Sequence, residues 1–297
     1  MSPAFPPGIA YMDGDYVPIS EAKVSVLDWG FLRSDATYDV VHVWKGHFFR
    51  LDHHLDRFTT GIDKLHLALP FGRDRLVEIL RQCVKRSGLQ DAYVEMVLTR
   101  GISPTFSRDP RDAVNTFIAF AIPFGWIATE EQRKRGLRLH IASIARIPPA
   151  SVDPTVKNYH WLDFVSSLYE AYDADRENVI LTDGRGNITE GPGFNIFALK
   201  DGMITTPGSG VLKGITRQTA IDLCGELNLP VQQAPLPVGN LKDAEEVFIT
   251  STAGGIMGVS LIDDISIGDG APGSITRKLG DLYWEKHSSP DWTTPVG

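Results

Sequence analysis

The sequence is short of cysteine, of basic runs and of long apolar stretches. Its 297 residues include two cysteines, Cys83 and Cys224, which give neither a disulfide framework nor a zinc spacing. No apolar run approaches the roughly 20 residues of a membrane span. The net charge of −8 and the lack of a Lys/Arg block disfavour nucleic acid and anionic membranes as partners. Residues 1–14 have neither the basic nor the apolar region of a secretory signal, so we expect a cytoplasmic protein.

The composition that remains is that of an ordinary globular protein. Hydrophobic residues make up 42% and charged residues 22%, and no internal repeat is visible. This usage excludes a disordered chain, a coiled coil and a collagen-like repeat. At roughly 100–200 residues per domain, the chain forms one large domain or two modest ones.

Residue periodicity predicts many strands and fewer helices. The predicted strands are 37–44, 47–51, 92–99, 115–122, 137–147, 179–182, 194–199, 203–205 and 246–251. The predicted helices are 52–67, 74–87, 158–175 and 215–227. Lys45-Gly46, Asp183-Gly184 and Asp201-Gly202 are typical of hairpin turns. Clustered strands with occasional helices favour an α+β fold over alternating βαβ units.

A domain boundary is predicted near the middle of the chain. Residues 124–136 mix glycine, tryptophan and a charged cluster and form the best candidate for a connecting segment. We therefore expect a smaller N-terminal α/β domain over 1–123 and a larger C-terminal domain over 137–297.

Three segments have the character of an anion site. Gly214-Ile215-Thr216 opens a predicted helix, where free N–H groups and the helix dipole favour a phosphate. Ser251-Thr252-Ala253-Gly254-Gly255 places hydroxyls and glycines directly after an apolar strand. Arg57 lies in a helix otherwise patterned for packing. Taken singly, each signal is weak, because a Gly-Ile-Thr start is usually a capped helix and an arginine on a helix is usually solvated.

Two further residues are candidates for chemistry. Lys157 lies near Val156, Tyr159 and Trp161 in sequence. A lysine there is usually a surface residue, but burial lowers its pKa and makes the amine usable for a Schiff base. Glu190 is followed by Gly191 and an apolar strand, which fits either an exposed turn residue or a carboxylate held against a ligand nitrogen.

In order along the chain, these segments resemble the class IV aminotransferases, the pyridoxal phosphate enzymes of fold type IV. That family includes branched-chain and D-amino acid aminotransferases, and the resemblance runs from about Gly8 to Glu285. Its anchors are His54-Leu55-Asp56-Arg57, Val156-Lys157-Asn158, Thr189 to Asn195, Gly214 to Arg217 and Thr250 to Gly255.

The resemblance implies an α+β fold with two α/β domains, pyridoxal 5'-phosphate between them, and a homodimer. Lys157 would form the Schiff base with the cofactor and then shuttle the proton. Glu190 would pair with the pyridine nitrogen, which makes the ring an electron sink. The residues implied to hold the phosphate are Arg57, Thr252 and the backbone of Ile215 and Thr216.

Finer features resemble the (R)-selective amine transaminases, namely Thr37 to Val40, His42-Val43-Trp44 and Trp161. The implied reaction is a ping-pong transfer of the amino group from an (R)-amine to a keto acid such as pyruvate. Aromatic and apolar pocket walls suit a 1-arylalkylamine. The substrate-binding residues implied by this resemblance are Tyr38, Val40, Tyr93, Glu95, Trp161, Ser251 and Ala253.

Several alternatives stay open. D-amino acid aminotransferases carry an Arg and a His after the position of Gly101, and Thr105-Phe106-Ser107 has neither. Branched-chain enzymes carry a tyrosine where Leu162 stands. Arg108 is the nearest candidate for binding an acceptor carboxylate, and Arg33 faces either the pocket entrance or solvent. D-amino acid or branched-chain transamination, aminodeoxychorismate lyase and a non-enzymatic phosphate-binding module are the remaining interpretations.

Overall fold

The computed structural model describes residues 5–297. It contains two compact units. The first comprises the chain up to Gly125 together with Val156–Tyr159 and His287–Gly297, and the second comprises Trp126–Thr155 and His160–Lys286. Across residues 5–297 no helix has the length and apolar character needed to cross a bilayer.

The first unit is built on a seven-stranded antiparallel sheet. Its strands are β1 (Ile9–Met12), β2 (Asp15–Pro18), β3 (Ala36–Trp44), β4 (His47–Phe49), β5 (Ala92–Ile102), β6 (Val114–Pro123) and a C-terminal strand, Thr293–Pro295. The spatial order is C-terminal strand, β4, β3, β5, β6, β1, β2. Its helices are α1 (Trp29–Arg33), α2 (Leu51–Lys64) and α3 (Arg73–Ser87), with 3-10 turns at Ile19–Glu21 and Pro110–Asp112.

The two faces of this sheet differ because alternate residues of a strand point to opposite sides. One face carries the main core, in which Val41 and Met96 pack with the helix residues Leu55 and Phe58. Complete burial of each such side chain stabilises the fold by about 1.5–3 kcal/mol. The other face carries a smaller aromatic cluster. Its members are Tyr38, Val40, Val97 and Ile118, with Met12, Tyr93 and Tyr159 packed against them.

The second unit is built on a ten-stranded mixed sheet. Its helices are α4 (Glu130–Arg135), α5 (Leu162–Asp173), α6 (Ile215–Glu226), α7 (Val238–Lys242) and α8 (Ser274–Glu285). Its strands are β7 (Leu137–Ala145), β8 (Asn178–Thr182), β9 (Asn187–Ile188), β10 (Asn195–Lys200), β11 (Met203–Thr206), β12 (Val231–Gln233), β13 (Leu236–Pro237), β14 (Glu246–Ser251), β15 (Gly255–Ile262) and β16 (Ile265–Ser266). The order is β12-β11-β10-β14-β15-β7-β8-β9-β13, with β16 beside β15. A last 3-10 turn spans Lys286–Ser288.

The hairpin predictions are confirmed. Lys45 and Gly46 join β3 to β4 with φ of 49° and 78°, and Asp201 and Gly202 join β10 to β11 with φ of 50° and 75°. Two successive positive φ angles match the right-handed twist of the flanking strands. Asp183 and Gly184 lie in the turn between the antiparallel strands β8 and β9.

Two local predictions are wrong. The helix predicted from residue 158 begins at Leu162, because Asn158 instead forms a β-bridge with Thr37. The strand predicted over 47–51 ends at Phe49, and α2 begins at Leu51. The predicted connecting segment, 124–136, stays a prediction, and it contains α4, whose first turn is closed by a capping box.

Strand pairing also changes the domain membership of two segments. Residues 137–297 are predicted from the sequence to form one domain, yet Val156–Tyr159 and His287–Gly297 belong to the first unit. The C-terminal strand lies there because it pairs with β4.

Candidate active site

Lys157 lies in an irregular segment fixed against the start of β3. The carbonyl oxygen of Lys157 accepts hydrogen bonds from Tyr38 N–H at 3.1 Å and from Thr37 Oγ1 at 3.0 Å. Its Nζ lies 4.4 Å from the centroid of the Tyr38 ring. The backbone of Lys157 is therefore held in place, and its half-buried amine lies over an aromatic face.

An acidic and aromatic cluster lies beside this lysine in the first unit. The rings of Tyr38 and Tyr159 stack at 4.3 Å. Glu95 accepts hydrogen bonds from Tyr159 Oη at 2.8 Å and from Tyr93 Oη at 3.1 Å. Burial raises the pKa of Glu95 despite both hydrogen bonds, and the charge of Lys157 partly opposes this rise. Burial, and then Glu95, raise the pKa of Tyr93 and Tyr159, so both phenols remain donors.

Arg57 is bound by a carboxylate that sequence reasoning did not single out. Its Nε lies 2.7 Å from Asp39 Oδ2 and its Nη2 lies 2.8 Å from Asp39 Oδ1. His54 Nδ1 lies 2.8 Å from Asp39 Oδ1. Burial alone would raise the pKa of Asp39, but Arg57 and His54 outweigh it and hold the pKa well below its usual range. The ionised Asp39 therefore fixes the direction of the Arg57 guanidinium.

The sequence signal for this triad is present but ambiguous. Asp39 interrupts the apolar run of β3, and His54 and Arg57 are three residues apart on α2, so they share a helix face. Sequence alone does not show that β3 lies beside α2.

In the second unit, Glu190 is buried rather than an exposed turn residue. Its Oε1 lies 3.2 Å from Arg146 Nε, and its Oε2 accepts from Leu212 N–H at 2.8 Å. Arg146 is in turn bound by Asp163, with Nη1 and Oδ2 2.6 Å apart. This network fixes the carboxylate of Glu190, and neither Arg146 nor Asp163 was predicted to take part in the site.

The first turn of α6 leaves its hydrogen-bond donors open. Gly214 occupies the N-cap position and no side chain caps the helix. Within residues 5–297 the N–H groups of Ile215 and Thr216 have no acceptor. A Cβ on Gly214 would lie 2.2 Å from Asn195 Oδ1, so a larger residue does not fit.

The loop after β14 has a mixed role. Ser251 Oγ donates to Gly193 O at 2.9 Å and accepts from Ala253 N–H at 3.2 Å. Ala253 O accepts from Ile127 N–H at 2.9 Å. These predicted substrate residues therefore hold the loop together, whereas the half-buried Thr252 has no side-chain hydrogen bond in the part of the chain described. Thr250 Oγ1 is also buried without a hydrogen-bond partner.

The remaining predicted residues lie in different surroundings. Trp161 packs edge-to-face on Phe164 at 5.4 Å in the second unit. Arg33 is exposed and stacks 3.6 Å from the Trp29 ring. Arg108 is exposed in the loop between β5 and β6, and it makes no hydrogen bond or ion pair with any described residue. The structure therefore does not bring Arg33 or Arg108 into the Lys157 cluster.

Comparison with known proteins identifies the class. The profile of the amino-transferase class IV family matches residues 36–262. A putative branched-chain-amino-acid aminotransferase of Methanocaldococcus jannaschii is 33% identical over 276 residues, which cover 92% of this chain and 94% of the relative. A D-alanine aminotransferase of Listeria monocytogenes is 29% identical over 273 residues, covering 90% and 91%.

A solved structure gives the same result. The T.th. branched-chain amino acid aminotransferase with pyridoxamine 5'-phosphate has a TM-score of 0.91 at 28% identity, over 98% of this chain and 99% of that one. The fold is thus that of the fold type IV pyridoxal phosphate enzymes, as expected. The chain belongs to the class IV aminotransferase family, whose members use pyridoxal phosphate.

The residues present suit that cofactor. A phosphate requires N–H donors and positive charge, and the open N–H groups of Ile215 and Thr216 supply the first. The Lys157 amine and the Glu190 carboxylate are groups of the kind that the aldehyde and the ring nitrogen of this cofactor would require.

Proposed function

We propose that this aminotransferase takes the amino group from an (R)-amine, such as a 1-arylalkylamine, and gives it to a keto acid such as pyruvate. The main support is the surface beside Lys157, which is aromatic and acidic. The stacked Tyr38 and Tyr159 suit an aryl group. The buried Glu95 offers no positive charge and disfavours a substrate carboxylate.

Each fixed residue has a role in this reaction. When bound, pyridoxal phosphate supplies the electron sink that stabilises a carbanion at the substrate carbon. Lys157 Nζ moves the proton at that carbon. Glu190, oriented by Arg146, would hold the proton on the ring nitrogen. The residues that would hold the phosphate are Arg57, Thr252 and the N–H groups of Ile215 and Thr216. A keto acid then uses the same residues in the reverse direction, which gives ping-pong kinetics.

A second candidate is the transamination of amino acids. Its support is the activity for which the relatives are named, D-alanine and branched-chain amino acid transamination. The exposed Arg108 has no partner in the described chain, so it is available for an acceptor or substrate carboxylate if its loop moves.

A homodimer belongs to the same proposal. Four exposed apolar residues of α5 lie three, four and three positions apart, which places them on one helix face. They are Leu162, Val165, Tyr169 and Tyr172, and Leu162 is 81% exposed. A second copy of the chain would remove this face from water. Sedimentation of Leu162→Glu against the control Ser274→Glu, an exposed residue of α8, tests this assignment, since only the first should shift the protein towards monomer.

A cytoplasmic location is the last part of the proposal. Cys83 and Cys224 are buried, unlinked thiols. Burial raises the pKa of Cys83 to about 12 and that of Cys224 to about 11, so both are unreactive at neutral pH. Their state is compatible with a reducing compartment.

A paired assay tests the substrate class. Protein with added pyridoxal phosphate receives pyruvate with (R)- or (S)-1-phenylethylamine, or 2-oxoglutarate with D-alanine or L-leucine. We expect acetophenone from the (R)-amine and little from the (S)-amine. Turnover of the amino acids alone would overturn the amine assignment in favour of the second candidate.

A further inference from the structure

Three arginines of the described chain are buried, and they differ in their partners. Arg100 is paired with Asp35, with Nε and Oδ2 3.0 Å apart. Arg146 is paired with Asp163 at 2.6 Å. Arg217 is 4% exposed, and across residues 5–297 no carboxylate lies within ion-pair distance of it. Arg217 is therefore a buried cation without a counter-ion in the described protein.

Neutral oxygen atoms satisfy part of this guanidinium. Its Nη2 donates to Pro207 O at 2.9 Å and to Gln233 Oε1 at 3.0 Å, and its Nε donates to Thr206 Oγ1 at 3.3 Å. These hydrogen bonds orient the side chain but leave its charge uncompensated. Burial accordingly lowers the pKa of Arg217. A buried charge of this kind is costly unless an opposite charge arrives.

The position of Arg217 along the chain suggests what that opposite charge is. It is the third residue of α6, directly after the open N–H groups of Ile215 and Thr216. A helix N-terminus already carries partial positive charge, so a cation in the first turn is unfavourable there. An anion bound at this end would be attracted both by the Arg217 charge and by the helix dipole. The buried charge and its position in the first turn then both become favourable.

We propose that Arg217 is a positioning residue of the phosphate site, which raises the affinity for the phosphate by its charge and through the N–H groups of the first turn. The inference rests on the proposed placement of the cofactor phosphate at Gly214–Thr216. Arg217 needs no direct contact, because its hydrogen bonds point to Thr206, Pro207 and Gln233.

The test measures binding to cofactor-free protein by fluorescence quenching. Arg217→Gln removes the charge and keeps an amide donor, and Arg217→Lys keeps the charge. We expect the Gln variant to bind pyridoxal phosphate and inorganic phosphate about tenfold more weakly. Affinity for pyridoxal, which lacks the phosphate, should be unchanged. The Lys variant should stay within about threefold of wild type for all three probes.

The opposite pattern would overturn the inference. If Arg217→Gln binds phosphate with wild-type affinity, the charge of Arg217 has no role in phosphate binding. If Arg217→Lys binds phosphate as weakly as Arg217→Gln, the hydrogen bonds of Arg217 matter and its charge does not. If the Gln variant does not fold, the Lys variant alone separates charge from hydrogen bonding.

A second pair of variants tests the placement separately. Gly214 has ψ of 137°, which suits a residue before proline, so Ile215→Pro should preserve the helix while deleting one N–H donor. Ile215→Ala controls for the lost side chain. Weaker phosphate binding in Ile215→Pro but not in Arg217→Gln contradicts only the inference about Arg217. No effect in either variant contradicts the proposed placement itself.

Discussion

Two regions differ in whether their charged groups have partners in the protein. One is the region around Lys157 in the first unit, and the other is the first turn of α6 in the second unit. Around Lys157 the charged groups have protein partners, since Asp39 binds Arg57 and His54. At α6 the donors of Ile215 and Thr216 and the charge of Arg217 have no acidic partner in the described chain. The charged groups around Asp39 are therefore paired within the protein, whereas the first turn of α6 has, in the described chain, unpaired donors and positive charge that suit an incoming anion.

Because of this difference, substitutions in the two regions should affect different properties, the stability of the fold in one and cofactor binding in the other. Substitutions in the paired region leave a buried group without its partner and should lower the free energy of unfolding. Substitutions that remove an open N–H donor of the first turn of α6, such as Ile215→Pro, take away a group that has no acceptor in the described chain. They should change cofactor binding while leaving folding nearly unaffected.

The largest effect is expected at Lys157. Lys157→Ala removes the amine that we propose moves the proton, so transamination should fall by about 10³-fold or more. The visible absorbance of the loaded protein should also be lost, while circular dichroism and melting temperature stay unchanged. Lys278→Ala, an exposed lysine on α8, is the matched control and should have wild-type activity. Normal turnover by the Lys157 variant would contradict the mechanism.

Asp39 should show the largest effect on stability. Asp39→Asn leaves Arg57 and His54 without their carboxylate and should destabilise the protein by about 3–5 kcal/mol in urea unfolding at pH 7. The exposed ion pair of Asp52 with Arg73 is the control, and Asp52→Asn should cost about 0.2–1 kcal/mol. An equal loss in both variants would show that the buried network stabilises no more than a surface pair.

The same substitution has a defined pH dependence. The pKa of Asp39 is lowered in the folded protein, so its contribution is fully present above the unfolded-state pKa of about 3.9. It is lost as the pH falls through the folded-state pKa. The stability gap between wild type and Asp39→Asn should therefore be constant near neutrality and should narrow below about pH 4.

These networks mark the limit of what the sequence predicts. Hairpins such as Asp201-Gly202 follow from local backbone preferences and were predicted correctly. Lys157 and Glu190 were singled out as candidates for chemistry. Their surroundings were not predicted, because Asp39 and Arg146 meet their partners only through the order of strands and helices. The late start of α5 has the same cause, since the bridge between Thr37 and Asn158 is a long-range contact.

Glu95, in the region around Lys157, is expected to affect the choice between an amine and an amino acid as substrate. Glu95→Gln removes the negative charge beside Lys157 while keeping an oxygen acceptor for Tyr159. The ratio of kcat/KM for (R)-1-phenylethylamine over D-alanine should fall about tenfold, because repulsion of the substrate carboxylate is relieved. Since burial raises the pKa of Glu95, the ratio in wild type should decline as the pH is lowered and the carboxyl becomes neutral. A ratio that is equal in both proteins at every pH would remove Glu95 from substrate selection.

The smallest effect is expected at Thr250. Its buried hydroxyl has no hydrogen-bond partner in the described chain, so Thr250→Val should leave the ligand-free protein as stable as wild type or more stable by about 1 kcal/mol. Thr206 is the matched control, because its hydroxyl donates to Ile196 O at 2.8 Å. Thr206→Val should lower the melting temperature, whereas a similar loss in Thr250→Val would show that its hydroxyl has a partner in the folded protein.

The most direct test of the proposed function is a single half-reaction without an acceptor. The loaded protein is mixed with (R)-1-phenylethylamine, and acetophenone and the visible spectrum are followed with time. We expect stoichiometric acetophenone and loss of the visible absorbance, with a far slower reaction for the (S)-amine and for D-alanine. A fast spectral change with D-alanine and none with the (R)-amine would contradict the proposed function and assign the protein to amino acid transamination.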